Sequence, residues 1–212
     1  MNRSLNQQLA AHPHSWITDS EIEVLWPGTP NSRYSKIKRL LANHDLLHMR
    51  RGLYGLTKNI QHSVTHHPFE WANYIYPPSY VSFESALSFH QLIPESVPTT
   101  TSASAKRSKT FKTPLGIFIY HHLPLENLYT EVVRCEQGEH CFLIAKPWKA
   151  ISDYVFLYKK SWKSLNPLVE NLRINPEDLP PLTDDLVSIL SDYYHRQTIS
   201  VFLTKVQKEL QG

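Results

Sequence analysis

The sequence predicts an α+β chain of two domains, and three observations predict it. Apolar residues recur at helical spacing up to Ala42, then give way over Leu46–Thr57 to two short β-rich runs. The texture changes at Thr65-His66-His67-Pro68, after which aromatics and proline become frequent. Beyond that point β-branched runs are followed by helical ones to the end of the chain. With 212 residues, 41% of them hydrophobic, there is enough apolar material for one large or two small cores. The expected division is 1–62 and 68–212.

In the first domain, Ser4–Ala10 reads as a short amphipathic helix that ends at His12-Pro13, because the residue before proline is pushed out of the α region. Trp16-Ile17-Thr18 reads as a short extended piece. Asp19 or Ser20 is expected to cap a second helix that turns Ile22, Leu25 and Trp26 inward and stops at Pro27-Gly28. Thr29-Pro30 opens a third helix, threonine as cap and proline at the first helical position. Within it Tyr34, Ile37, Leu40 and Leu41 fall on one stripe, expected to be buried. The opposite face then carries Ser32, Ser35, Lys36, Arg39 and Asn43, with Arg33 and Lys38 on its flanks. Leu46–Arg50 and Leu53–Thr57 read as two strands joined by the tight turn Arg51-Gly52.

Charge follows this pattern. The net charge of +3 is too small to define a nucleic-acid binder, but its distribution is uneven. Up to Ile60 there are eight basic against four acidic residues; from Ser161 onward there are five against seven. Three helices and a hairpin tipped by arginines are the order of a winged helix-turn-helix, whose third helix enters the major groove of DNA while the hairpin meets the backbone. On that reading Lys36 and Arg39 face guanine edges, Ser32, Arg33, Ser35 and Asn43 meet bases or phosphates, and Arg50, Arg51 and Lys58 neutralise backbone. The competing reading is a protein-docking module whose third helix covers a partner.

In the second domain, Phe69–Ile75 and Ser82–Phe89 carry helical periodicity and are expected to form a helical hairpin across Pro77-Pro78-Ser79-Tyr80. Val97–Thr101, Lys109–Thr113 and Leu115–His121 read as strands, as do Tyr129–Arg134 and Cys141–Ala145 on either side of Gln137-Gly138-Glu139. Pro147 opens a helix containing Ile151, Tyr154, Val155 and Leu157; Leu186–Tyr194 and Thr198–Leu210 are helical. Thr99–Ser104 is low in complexity, and Thr99–Ala105 is flexible in composition. The second basic cluster, Lys106, Arg107, Lys109 and Lys112, lies in a stretch without acids from Ser96 to Tyr120; it reads either as secondary phosphate contacts or as a solvated loop leading into a strand.

Four segments together resemble the AbiEi-type antitoxins, described as transcriptional regulators of viral defence systems. They are Arg51-Gly52-Leu53-Tyr54-Gly55-Leu56; Pro78–Leu87 with Leu92-Ile93-Pro94-Glu95; Thr113-Pro114-Leu115-Gly116 with Phe118-Ile119-Tyr120; and Ile144–Asp153. The last carries Trp148-Lys149 where the family more usually has an acid followed by lysine. The resemblance runs from the hairpin to about Leu157. It implies a winged-helix domain that binds inverted repeats in its own promoter, followed by an α/β antitoxin domain. It also implies a partner gene for a nucleotidyltransferase toxin, countered without a stable complex.

No catalytic or metal constellation is legible. Adjacent His121 and His122 on a strand point to opposite faces, and Cys135, His140 and Cys141 lack the spacing of a zinc knuckle. There is no Asp-x-Lys or Glu-x-Lys nuclease pair, no Gly-Ser with Asp-x-Asp for metal-assisted nucleotidyl transfer and no Gly-x-Ser-x-Gly elbow. Glu84, beside Ser82 and Ser85, is the most tempting lone acid and reads as a capping or surface carboxylate. The expectation is therefore a non-enzyme without cofactor or metal. Two cysteines, no apolar run near a membrane span and no charged-then-apolar start at Met1–Ala11 lead us to expect a reducing cytosol.

Overall fold

A computed structural model describes residues 8, 9, 11–57, 67–94, 98–124 and 126–211. The chain divides into two compact units, Met1–His67 with Phe111–Gly116, and Pro68–Thr110 with Ile117–Gly212. Apart from Gln8 and Leu9, the predicted first helix lies outside the described residues.

In the first unit, β1 (Trp16–Thr18) leads directly into α1 (Asp19–Leu25). The cap is Thr18 rather than Asp19 or Ser20. Its hydroxyl oxygen accepts the Glu21 N–H at 3.3 Å, and Glu21 Oε2 accepts the Thr18 N–H at 2.8 Å. This reciprocal pair satisfies two otherwise free donors, and it fixes the helix start one residue earlier than the acidic side chains alone suggested.

Helix α2 (Pro30–Ala42) begins as predicted, with Thr29 accepting the Ser32 N–H at 3.3 Å and proline in the first turn. It ends in a double-bonded left-handed cap. His44, at φ 58, donates its N–H to Leu41 O, and Asp45 donates to Leu40 O. That reversal feeds β2 (Leu46–Arg50), which pairs antiparallel with β3 (Leu53–Leu56); β1 pairs on the other side of β3, giving the order β1-β3-β2. The connecting turn needs glycine. Gly52 sits at φ 75, its carbonyl accepts the Asp19 N–H, and a Cβ there would lie 3.1 Å from Asp19 Oδ2.

The core of this unit is Ile17, Ile22, Trp26, Leu40, Leu46, Tyr54 and Leu56, with Ile37 and Leu41 packed against it. Tyr34 was expected in the same stripe but is 68% exposed. Periodicity assigns a direction around the helix, not how far the core extends along it, and Tyr34 lies a turn before the packed stretch.

The second unit is built on a six-stranded sheet in the order β6-β7-β5-β4-β9-β8. The strands are β4 (Ser79–Val81), β5 (Thr99–Ser104), β6 (Lys109–Thr113), β7 (Gly116–His122), β8 (Val132–Gln137) and β9 (His140–Ala145). Strands β4 and β9 are parallel, as are β5 and β7, while β4–β5 and β8–β9 are antiparallel. The helices of this unit are α3 (Pro68–Ile75), α4 (Phe83–Phe89), α5 (Pro147–Leu157), α6 (Asn166–Leu172), α7 (Asp184–Tyr194) and α8 (Gln197–Gln211).

Two expectations change. The segment between α3 and α4 is not the turn of a helical hairpin, because Tyr80 and Val81 are fully buried in β4. Nor is Thr99–Ser104 a flexible tract: it is β5, buried along nearly its whole length. Two of its hydroxyls find partners inside, while that of Ser102 is buried without one. Thr101 Oγ1 donates to Ser82 O at 2.9 Å, and Ser104 Oγ donates to Pro78 O at 2.8 Å.

Candidate nucleic-acid interface

The sequence-predicted residues of the first unit sit mainly on α2 and on the β2–β3 turn. Ser32, Ser35, Arg39 and Asn43 are exposed along one face of α2, with Lys36 half-buried at its edge. Leu40, only 2% exposed, holds the opposite face in the core. Asn43 is also the C-cap, its N–H donated to Arg39 O at 2.9 Å.

Arg33 has a different position. Its guanidinium donates to Gly28 O at 2.6 Å and pairs with Glu23 at 2.8 Å, with the side chain only 18% exposed. The hundred-degree step of the helix brings Arg33 near the side of Leu40, so it ties α2 to α1. A duplex contact from Arg33 would first have to break that pair.

On the turn, Arg51 is exposed and Arg50 is half-buried, its Nη1 donating to Arg51 O at 2.8 Å. Arg51 lines a groove of about 420 Å³ with Asp19, Glu23, Arg33, Tyr34 and Tyr54. Burial, and then the Asp19 carboxylate, push the Tyr54 phenol up to about 12, so it remains a neutral hydrogen-bond donor beside the turn. Lys58 lies outside the described residues.

Lys106, Arg107 and Lys109 of the second unit, and Lys112 in the Phe111–Gly116 stretch of the first, are all exposed. The first three are organised around Tyr76: its hydroxyl donates to Arg107 O at 3.2 Å, and the ammonium groups of Lys106 and Lys109 lie 5.3 and 5.9 Å from its ring centre. Lys109 and Lys112 belong to β6, an end strand of the sheet, where cations also discourage pairing with another chain.

Cys135 and Cys141 are free, on adjacent strands. His140 bonds Glu70 at 2.8 Å. Among the described residues no group of three His, Cys, Asp or Glu side chains comes together that could hold a metal ion. As expected from strand alternation, His121 turns inward against Phe83 while His122 is exposed.

Sequence reasoning missed a buried ionic centre. Lys149 and Asp153, one turn apart on α5, are both fully buried. The ammonium donates to Asp153 Oδ1, to the Tyr80 hydroxyl at 2.7 Å and to the Tyr194 hydroxyl at 3.0 Å, which uses all its protons. Asp153 also accepts from Tyr80 at 2.9 Å, Ser82 at 2.6 Å and Tyr194 at 2.6 Å. Burial lowers the lysine and Asp153 raises it; burial drives Tyr80 and Tyr194 well above the usual phenol range. The signal available in the sequence was the i,i+4 Lys–Asp spacing within an apolar helix.

No protein-family model matches the chain, and no curated protein matches it significantly.

Proposed function

We propose that the chain is a DNA-binding transcriptional regulator whose first unit is a winged helix-turn-helix. In this reading α2 enters the major groove, with Lys36 and Arg39 toward base edges and Ser32, Ser35 and Asn43 beside them. Arg50, Arg51 and Lys58 meet the backbone. The observation that carries the proposal is the exposed hydrogen-bonding and cationic face of α2, opposite a core-anchored stripe and on the same unit as an arginine-tipped hairpin. The order β1-β3-β2 with α1 and α2 between β1 and β2 supports it.

Drawing on the resemblance to AbiEi-type antitoxins, we further propose that the chain binds inverted repeats upstream of its own operon and excludes polymerase. Its second unit would counter a nucleotidyltransferase toxin without a stable complex, by binding rather than catalysis, in the cytoplasm and as part of a phage-defence system. The test is a gel shift of the full chain on its own upstream DNA at 50 and 200 mM salt. Each phosphate neutralised contributes a slope of about −0.9 to log K against log salt, so the backbone cations Arg50, Arg51 and Lys58 give about −3. A salt-independent shift, or none, contradicts the proposal.

A protein-docking reading has one observation in its favour. Tyr34 stands 68% exposed on α2, beside the groove that Arg51 lines, and tyrosine is a frequent anchor of protein interfaces. Under that reading Tyr34→Ala abolishes partner binding, while Arg39→Ala leaves DNA binding as weak as before.

A further inference from the structure

The second unit contains a cavity of about 520 Å³ whose walls include Glu84, Thr101, His121, Tyr154, Tyr158 and Asn171. Small-molecule sites commonly span about 300–1,000 Å³. Three features distinguish it from a packing defect.

The first is Glu84. Its Oε2 is buried without a hydrogen-bond partner, and desolvation pushes its carboxyl above the usual range. An acceptor left in this state is unfavourable in a finished core and useful where a donor arrives from outside. The chain reaches Glu84 through Phe83 at φ 56, a left-handed geometry that aromatic residues rarely hold and that concentrates at ligand sites.

The second is the pair Tyr154 and Tyr158, whose rings lie 4.6 Å apart. Burial, and then the Glu84 charge, raise both phenols, so the aromatic faces and the carboxylate share one electrostatic environment. The third is charge balance. Among the described lining residues there is no Lys or Arg, and burial lowers His121, which favours its neutral form.

We propose that this cavity binds a small organic cation, an amine, amidine or guanidinium on a short planar body, with Glu84 accepting its N–H donors and the Tyr154–Tyr158 pair receiving its body. An anionic ligand would meet a carboxylate and no counter-charge. A purely apolar one would leave Glu84 Oε2 unsatisfied. A cation supplies both donors and charge, and the aromatic faces add cation–π attraction. The inference is independent of the DNA-binding reading.

The experiment is isothermal titration of the full chain with benzamidine, and with its neutral and anionic isosteres benzamide and benzoate. The expected result is one benzamidine site, with benzamide and benzoate weaker by about tenfold or more. Glu84→Gln then weakens benzamidine by about tenfold or more, while Glu126→Gln, which removes an exposed acid, leaves it unchanged. Should Glu84→Gln fail to fold, Tyr154→Leu serves instead and is expected to weaken benzamidine likewise. Failure of benzamidine to bind the wild-type chain at millimolar concentration, equal binding of benzoate, or equal losses in Glu84→Gln and Glu126→Gln would overturn the proposal.

Discussion

Lys149→Met would replace a fully buried ammonium with an unbranched apolar side chain of similar length, and the consequence can be worked out from the partners it leaves behind. Asp153 would keep its hydrogen bonds from Tyr80, Ser82 and Tyr194 and lose its lysine counter-charge. Stranding one member of a buried ion pair costs about 3–5 kcal/mol. Against a typical domain stability of about 5–15 kcal/mol, that is a large fraction of the whole. Asp153→Ala differs in an informative way. Burial already lowers the folded-state Lys149, and removing Asp153 removes the interaction that raised it. A base whose folded value is depressed is penalised below its unfolded value, and the penalty is relieved as pH rises toward that value. The Asp153→Ala deficit should therefore shrink between pH 7 and pH 9. Urea unfolding followed by the fluorescence of buried Trp71 and Trp148 gives both numbers. A Lys149→Met midpoint within about 0.5 kcal/mol of wild type, the range of ordinary surface substitutions, would refute the assignment of this pair to a coupled core network.

Further outcomes follow from the same geometry. Glu84→Gln should gain stability relative to wild type at pH 7 and gain less at pH 4. A carboxyl whose folded value is raised loses stability as pH climbs through that value, and chemical denaturation at the two pH values measures the difference. Gly52→Ala should destabilise the first unit by about 1–2 kcal/mol, because it forces a Cβ into left-handed backbone close to Asp19; thermal melting checks it. Thr18→Ala removes the reciprocal cap of α1 and should cost about 1 kcal/mol in the same assay. Arg51→Ala should weaken specific and random duplex alike and reduce the salt slope by about 1, read by anisotropy titration.

Where the sequence was legible, local chemistry and tertiary context agreed. Thr29-Pro30 marked the start of α2, and Leu40 marked its buried side. Pro147 opened α5, and Gln137-Gly138-Glu139 joined β8 to β9. The failures came where burial is decided by neighbours distant in sequence. Val97–Thr101 read as a strand, but Thr99–Ala105 looked flexible because its side chains are small and polar, yet Thr101 and Ser104 bond to Ser82 and Pro78. Nothing local placed Lys149 inside: its acceptors are Tyr80, about seventy positions away, and Tyr194. Arg33 shared composition with the exposed polar face of α2 but not its direction, and Glu23 took it up. The resemblance segment Ile144–Asp153 included the Lys149–Asp153 pair without revealing that it was internal.

The central claim is that α2 reads DNA through Arg39. Its most direct test is the ratio of affinities of the full chain for its own upstream DNA and for a random duplex of equal length, measured for wild type and Arg39→Ala at one fixed salt concentration. The account predicts that Arg39→Ala loses about 1–3 kcal/mol on the specific duplex and little on the random one, with discrimination relaxed at one base position. Equal losses on both duplexes, or a wild-type ratio of one, would contradict it.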